Sequence, residues 1–425
     1  MLSFHKVAAL ASLSVLPLSV AQSYTLKTNY AGSDFVNLWN FSTAVDRNFG
    51  FVAFVPPVIR LIQQLLTMNS PLSPQQLPES SCCYLSEAGV YHILEHGDRQ
   101  ASLPSNHAHS IYPHPFCGGK IDNTTVGNPA DTTFGRASVY LESLETLGLG
   151  SLVLFDAVHV PFGCSVWPGF FTQGPGDWPL GGEIDIFENV NQATLNQYAL
   201  HTFPAGCTLG SSTESGKVIS TDCFNNTNSN QGCIVQETKP NSYGTAFNSN
   251  GGGGYAMQMD TTGIKIWWFP RASLPSDWTS SSPDPSTWPS PSAFYPSSSC
   301  DVTKFFGPQQ IILEIDICGS FAGDGGAFAQ TCSGSCVDLL KTPTNYDQAY
   351  FELNFIKTFT TGSSNGTTTT ATKTGKSTAT SSLGASGPTG STTKSGALAS
   401  LSASWVGLGV TAFGMVGAGL AAVLV

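Results

Sequence analysis

Residues 181–191 read GGEIDIFENVN and carry three carboxylates within six positions, at Glu183, Asp185 and Glu188. The β-branched and aromatic residues between them favour a half-buried strand, whose two-residue period puts Glu183 and Asp185 on one face. Strict alternation would turn Glu188 to the opposite, apolar face. A one-residue bulge around Ile186-Phe187 would return Glu188 to the carboxylate face. The sequence therefore predicts a bulged strand with three acids on one side.

Like charges on one face of a strand repel, so three acids there need a chemical reason. Glycoside hydrolysis supplies one, because an ionised carboxylate and a protonated carboxyl flank the bond, ~5–5.5 Å apart in retaining and ~6.5–9.5 Å apart in inverting enzymes. The alternative is a solvent-facing acidic strand. Residues 310–318, QIILEIDIC, also carry Glu-x-Asp, at Glu314 and Asp316, but no following Glu. The third carboxylate, Glu188, is therefore the distinguishing feature.

The stretch GEIDIFE at 182–188 resembles the signature of glycoside hydrolase family 16, in the longer Glu-x-Asp-x-x-Glu form of its laminarinase-like members. The similarity covers roughly residues 24–56 and 133–360. Secreted fungal β-1,3(4)-glucanases have similar segments at 164–171, 174–179, 201–202, 248–253 and 318–323. The resemblance implies an all-β fold, an antiparallel β-sandwich or concanavalin-like jelly roll with a concave substrate cleft, and no cofactor. Short strands separated by Gly, Pro, Ser and Asn loops favour the same class.

Carried over residue by residue, the resemblance makes Glu183 the nucleophile and Glu188 the general acid and base. Asp185 would orient Glu183 by sharing a proton with it. Aromatic rings that stack on sugars and a histidine that contacts Glu188 or the sugar complete the predicted substrate site: Trp167, Phe171, Trp178, His201 and Phe321. The alternative for the two tryptophans is a place in the core, and for His201 a packing role.

Two of these positions depart from the pattern of fungal members. Phe171 and Phe321 stand where a Trp is usual, and Ser320 stands where an Asp is usual. Phe keeps a stacking face but loses area and the indole N–H donor. The departures predict an altered subsite affinity or linkage preference.

Three functions follow from this pattern. The first is an endo-acting retaining hydrolase of β-1,3 or mixed β-1,3/1,4-glucan. The second is a cell-wall glucan transglycosylase, in which a sugar hydroxyl in place of water resolves the same covalent intermediate. The third is a non-catalytic glucan-binding module, against which the intact acid trio argues.

Composition and terminal segments indicate a secreted, surface-attached chain. The net charge of −11 argues against nucleic acid as a partner and suits a neutral polysaccharide bound by a monomer. Residues 1–21 read as a signal peptide and 22–361 as the catalytic domain. Residues 362–395 form a Ser/Thr-rich stalk, and 396–425 read as a GPI-attachment signal, with a retained transmembrane helix as the alternative.

Secretion makes the cysteines candidates for disulfides. Eight of them fall in the recognised regions, an even number whose pairing the sequence leaves open: Cys164, Cys207, Cys223, Cys233, Cys300, Cys318, Cys332 and Cys336. Glycosylation sequons stand at Asn40, Asn123, Asn225 and Asn365.

Residues 56–131 break the family pattern and are expected to be an atypical insertion, with an imperfectly translated gene segment as the alternative. Within them, 58–66 have helix-like periodicity. Five of the histidines and the other three cysteines crowd into this segment, but without the spacing of a Cys-x-x-Cys or His-Glu-x-x-His motif. The sequence therefore predicts no metal site.

Overall fold

The computed structural model describes residues 23–43, 46–48, 50–54, 83–86, 90–93 and 116–362. The predicted signal peptide, the helix-like segment 58–66, Asn365, the stalk beyond residue 362 and the anchor signal lie outside these residues. No helix within the described ranges is long and apolar enough to cross a bilayer. The domain boundaries stay predictions.

Short strands make up most of the described chain. Their bounds are β1 Thr25–Tyr30, β2 Trp39–Phe41, β3 Val52–Phe54, β4 Cys83–Ser86, β5 Val90–Ile93, β6 Phe116–Lys120, β7 Arg136–Ser138, β8 Tyr140–Ser143, β9 Ser151–His159, β10 Val166–Gln173, β11 Glu183–Glu188, β12 Gln197–His201, β13 Lys217–Val218, β14 Cys233–Gln236, β15 Gly253–Asp260, β16 Gly263–Pro270, β17 Ala293–Pro296, β18 Gln310–Ile317 and β19 Tyr350–Thr360. Helices are short: α1 Gly244–Ser249, α2 Val302–Phe305, α3 Gly319–Ala322, α4 Gly325–Thr331 and α5 Cys336–Leu339, with 3-10 turns at Gly32–Leu38, Arg271–Ser273, Pro285–Thr287 and Pro343–Tyr346.

Two antiparallel sheets contain most of these strands. One has the order β1-β19-β9-β15-β16-β17, with β6 also paired to β19. The other has eight strands in the order β13-β14-β12-β11-β10-β18-β8-β2. Strand β6 falls inside the predicted insertion, yet it hydrogen-bonds to the central strand β19. The sheet orders confirm the predicted all-β, antiparallel architecture.

The core lies between the two sheets and consists largely of aromatic rings. Phe155 of β9 stacks on Phe170 of β10 with ring centroids 4.3 Å apart. The ring centroid of Phe187 of β11 lies 6.3 Å from that of Phe155. All three side chains are fully buried. Burying each of them contributes about 1.5–3 kcal/mol. Because Phe170 points into this core, its alternating neighbours on β10 point to the outer face of the eight-stranded sheet.

The outer face of the first sheet is covered by a second apolar cluster. Trp278 and Trp288, from the loop after β16, pack there against Phe269 and Phe355. Beneath them, the buried Asp156 accepts a hydrogen bond from Trp278 Nε1 at 2.7 Å and pairs with Arg271 Nη1 at 2.7 Å. The outer face of the eight-stranded sheet is thus the one that remains available to a large ligand.

All eight cysteines of the recognised regions form disulfides. The pairs are Cys164–Cys332, Cys207–Cys300, Cys223–Cys233 and Cys318–Cys336. They close loops of 10 to 168 residues, which restricts the unfolded chain and stabilises the fold.

Of the described sequons, Asn40 is exposed, while Asn123 and Asn225 are partly buried. Asn123 Nδ2, the atom a glycan would modify, donates to Asp347 Oδ1 at 2.7 Å. Glycosylation stays a prediction at all of them.

Candidate active site

Strand β11 contains the bulge that the acid spacing predicts. On the β10 side, Phe170 pairs with Phe187 and Phe171 with Asp185, so Ile186 has no partner. On the β12 side, Asp185 pairs with Ala199 and Glu188 with Gln197, so two residues oppose one. The extra residue returns Glu188 to the side of Glu183 and Asp185. We call this outer side of the eight-stranded sheet the carboxylate face.

A buried asparagine holds the bulge. Asn196 Oδ1 accepts the backbone N–H of Glu188 at 3.0 Å, and Asn196 Nδ2 donates to the carbonyl of Ile186 at 3.1 Å. Its own backbone N–H donates to Ser242 Oγ at 2.9 Å. A bulge takes backbone groups out of the strand ladder, and buried groups of this kind need other partners. Asn196 supplies them with one side chain, and the acid motif alone gave no sign of it.

Each glutamate accepts a hydrogen bond from its own indole. Trp178 Nε1 donates to Glu183 Oε2 at 2.7 Å, and Trp167 Nε1 donates to Glu188 Oε1 at 2.8 Å. Neither donor titrates, so both carboxyls are oriented at every pH. The two tryptophans predicted as sugar-stacking residues therefore also position the acids.

Asp185 lies beside a histidine on the neighbouring strand. His201, which pairs with Glu183 in the sheet register, places Nε2 at 3.4 Å from Asp185 Oδ2. The sequence analysis expected His201 to contact Glu188 or the sugar, and the structure pairs it with Asp185. Both residues are more than nine-tenths buried.

Burial and crowding raise the pKa of all three acids. Loss of hydration, followed by the charge of Asp185, raises the pKa of Glu183 to about 8, although His201 and the Trp178 hydrogen bond oppose the rise. Burial and the charge of Glu188 hold the pKa of Asp185 well above its usual range. Burial also raises the pKa of Glu188, against the Trp167 hydrogen bond. Protons therefore remain on this cluster at pH values where isolated carboxyls are ionised.

Residues 117–359 match the XgeA-like, catalytic GH16 domain. The chain belongs to glycoside hydrolase family 16. A probable glycosidase of Schizosaccharomyces pombe is 40% identical over 230 residues, 53% of this chain and 54% of the relative. A probable endo-1,3(4)-beta-glucanase of Aspergillus niger is 32% identical over 365 residues, 84% of this chain and 42% of the relative. The chain spans about half the length of these curated relatives.

Solved structures of the family agree with the fold. Laminarinase 16A from Phanerochaete chrysosporium, with 6-O-glucosyl-laminaritriose in donor and acceptor sites, has a TM-score of 0.63 at 32% identity and covers 79% of this chain and 99% of that one. An elongating family 16 β-1,3-glucosyltransferase has a TM-score of 0.62 at 31% identity, covering 80% and 100%. Family membership and the sandwich fold predicted from the sequence are thereby confirmed.

The remaining predicted substrate residues lie around the same family 16 site. Phe171 pairs with Asp185 across the strands and faces the same side as Trp167. Phe321, on helix α3, meets Trp167 edge-on with ring centroids 5.5 Å apart. The structure thus brings together all five residues chosen for substrate binding, and their role in binding stays a prediction.

The carboxylate face contains a further acid that the sequence analysis set aside. Gly169 of β10 pairs with Glu188 on one side and with Glu314 of β18 on the other, so the three positions form one row. Burial first, then the charges of neighbouring acids that include Glu183 and Glu188, hold the pKa of Glu314 well above its usual range. The sequence alone could not distinguish the Glu-x-Asp of β18 from an ordinary acidic strand, because it does not show that β18 lies beside β10.

Replacing Asn196 should test the bulge. Asn196→Ala leaves two buried backbone groups of β11 without partners, each at a cost of about 1–3 kcal/mol. We expect a loss of unfolding free energy of that size in a denaturant titration. Asn250→Ala, which removes one exposed hydrogen bond to Ala246, is the control. Unchanged stability in the Asn196 variant would contradict this role.

Replacing Glu183 should reveal the raised pKa. The pKa rises from 4.5 in the unfolded chain to about 8 in the fold, so the stabilisation from this proton is complete below about pH 4.5 and is lost as the pH rises through about 8. Glu183→Gln mimics the protonated form. Its melting temperature should match the parent at pH 4 and exceed it by ~3 °C or more at pH 8. Asp301→Asn, which alters a carboxyl with a lowered pKa, should show no such gain. An equal difference at both pH values would contradict the assignment.

Proposed function

We propose that this chain is a retaining endo-glucanase that hydrolyses β-1,3 or mixed β-1,3/1,4-glucan. The observation that carries the proposal is the bulged strand β11, which turns Glu183 and Glu188 to one face with an indole donor on each. Nucleophilic glycoside hydrolysis needs two carboxyls on the same side of one bond, one ionised and one protonated.

In the first step, ionised Glu183 attacks the anomeric carbon while protonated Glu188 gives its proton to the departing glycosidic oxygen. The C–O bond breaks and a glycosyl ester forms on Glu183. Glu188, now a carboxylate, then takes a proton from water, which attacks the same carbon and releases Glu183. With a pKa raised to about 8, only part of Glu183 is ionised at neutral pH, and the Trp178 hydrogen bond opposes that rise and so favours the reactive carboxylate. Asp185, whose raised pKa keeps a proton nearby, limits the repulsion that ionised Glu183 experiences.

The relatives support glucan as the substrate class. The Aspergillus niger relative is described as a probable endo-1,3(4)-beta-glucanase, and the Phanerochaete chrysosporium structure holds β-glucans in donor and acceptor sites. The aromatic residues Trp167, Phe171 and Phe321 beside the acids suit the apolar faces of pyranose rings.

The second candidate function is transglycosylation, in which a sugar hydroxyl replaces water in the second step. A specific observation favours it: the elongating β-1,3-glucosyltransferase is about as similar in fold and sequence as the laminarinase. The acids and their donors serve both reactions, and the outcome depends on how well the acceptor side holds sugar compared with water.

We further propose that the chain acts outside the cell, attached through a GPI lipid. The support is the apolar N-terminal segment, the Ser/Thr-rich stalk and the uncharged apolar C-terminal tail of the sequence. Phosphatidylinositol-specific phospholipase C should release the protein from expressing cells, with a mature C-terminus near Ser395 or Gly396. Recovery of peptides from Trp405 onward in the mature protein would overturn the attachment.

Product stereochemistry tests the mechanism. Proton NMR of laminarin cleavage should show the β-anomer before mutarotation, and mass spectrometry of the same time course should show whether products longer than the donor appear. Glu183→Gln should lose nearly all turnover, because no ester can form. Glu188→Ala should fail on polysaccharide but cleave an activated aryl β-glucoside, and added azide should then yield the β-glucosyl azide.

The azide product should arise from the Glu188 variant alone, so Glu183→Gln under the same conditions is the matched control. Initial release of the α-anomer would show inversion and remove the assigned roles of both glutamates. Products longer than the donor would favour transglycosylation over hydrolysis.

A further inference from the structure

A histidine nitrogen and a carboxylate oxygen face each other at the centre of the carboxylate face. His201 Nδ1 lies 3.2 Å from Asn230 Oδ1. A carboxamide oxygen only accepts hydrogen bonds, so Nδ1 of His201 carries the N–H of this contact and Nε2 is the ring nitrogen turned to the carboxylate face. That nitrogen points at Asp185 Oδ2, 3.4 Å away. Among the described residues, this buried oxygen has no hydrogen-bond donor.

The spacing suits a metal ion. One ligand atom each from Glu183, Asp185 and His201 lie within 4.8 Å of one another. In a tetrahedral zinc site with bonds of ~2.0–2.2 Å, neighbouring ligand atoms are about 3.3–3.6 Å apart. The 3.4 Å between Asp185 Oδ2 and His201 Nε2 falls in that range. We propose that Glu183, Asp185 and His201 bind one Zn²⁺ or a similar transition-metal ion through three protein ligands, with the fourth position open to the cleft.

The surroundings of His201 support this assignment. Metal-bound histidines usually donate their other N–H to an oxygen, as His201 Nδ1 does to Asn230. Gly232, at φ +71°, leaves room for the ring, because a Cβ there would lie 2.9 Å from Nε2. Asn230 and Gly232 belong to the loop that the Cys223–Cys233 disulfide closes. Two carboxylates and a neutral imidazole also balance a divalent charge, and imidazole favours zinc over Mg²⁺ or Ca²⁺.

The consequence for catalysis rests on the proposed function. An ion on Glu183 occupies the nucleophile, so metal binding and formation of the glycosyl ester exclude each other. Zn²⁺ should therefore inhibit laminarin cleavage, and a chelator should restore it. The enzyme would then be controlled by the free transition-metal level around it.

Binding is tested without substrate. Untagged full-length protein, stripped of metal with a chelator, is titrated with ZnCl₂ at pH 7 in a calorimeter. Asp185→Asn and His201→Gln should each weaken Zn²⁺ binding at least about tenfold, since each removes one of three ligands. Asp301→Asn, which changes an exposed carboxyl outside the ligand set, should leave the affinity within about threefold. Millimolar Mg²⁺ should not displace the zinc.

A second variant avoids the ligands altogether. Asn230→Asp keeps the size of the side chain and tolerates the positive φ of 68° at this position. Its carboxylate is a stronger acceptor for Nδ1–H, so Zn²⁺ affinity should rise several-fold while the fold is kept. Zinc bound by cysteines or histidines elsewhere would persist in Asp185→Asn, so the difference between the two isotherms reports this site.

Identical zinc isotherms for the parent, Asp185→Asn and His201→Gln proteins would overturn the proposal, provided the variants melt cooperatively. Because calorimetry involves no glucan, that result is distinct from a failure of the hydrolase function, which would appear as absent cleavage in the metal-free protein.

Discussion

The bulge in strand β11 is the constraint on which the site depends. One residue, Ile186, has no partner on β10, and this single insertion decides whether Glu188 faces the ligand or the core. A bulge in the middle of an eight-stranded sheet removes backbone hydrogen bonds where water cannot replace them. Asn196 compensates for this loss, because its side chain hydrogen-bonds both a donor and an acceptor of the bulged strand. The chemistry therefore depends on a fully buried asparagine outside the acid trio.

The inner and outer faces of the two sheets have different roles. The inner faces share the aromatic core around Phe155, which fixes the distance and register between the layers. The outer face of one sheet is closed by the cluster around Trp278, and the outer face of the other carries the acids. Burial on three of the four sheet faces stabilises the fold. The fourth face can therefore hold crowded carboxyls, whose raised pKa values show that the crowding is unfavourable.

Local sequence information was sufficient to predict the acid trio and the bulge between its members. Alternation of Glu183, Ile184 and Asp185, followed by the extra spacing to Glu188, predicts both the strand and its irregularity. The family resemblance supplied the sandwich and the aromatic neighbours Trp167 and Trp178. It did not reveal that these indoles donate to the acids, because a ring can stack and donate from the same place.

The rest of the site depends on contacts between distant segments. Asn230 and Gly232 reach His201 only because the strands β12 and β14 pair, and the row from Glu188 to Glu314 exists only once β10 lies between them. The disulfide pairs likewise follow from three-dimensional proximity, with Cys164 bonded to a cysteine 168 residues away. Residue types alone do not contain this information.

The indole donors have one more consequence, which is optical. Indole emission responds to the charge and hydrogen bonding around the ring, so each glutamate has its own chromophore attached. Trp178 is 37% exposed, whereas Trp167 is partly buried against Phe321, and the two rings therefore emit from different environments. Proton movement at either glutamate should therefore change the emission of the indole that donates to it, against the background of the six other tryptophans of the chain. The cleft carries its own two-position spectroscopic probe.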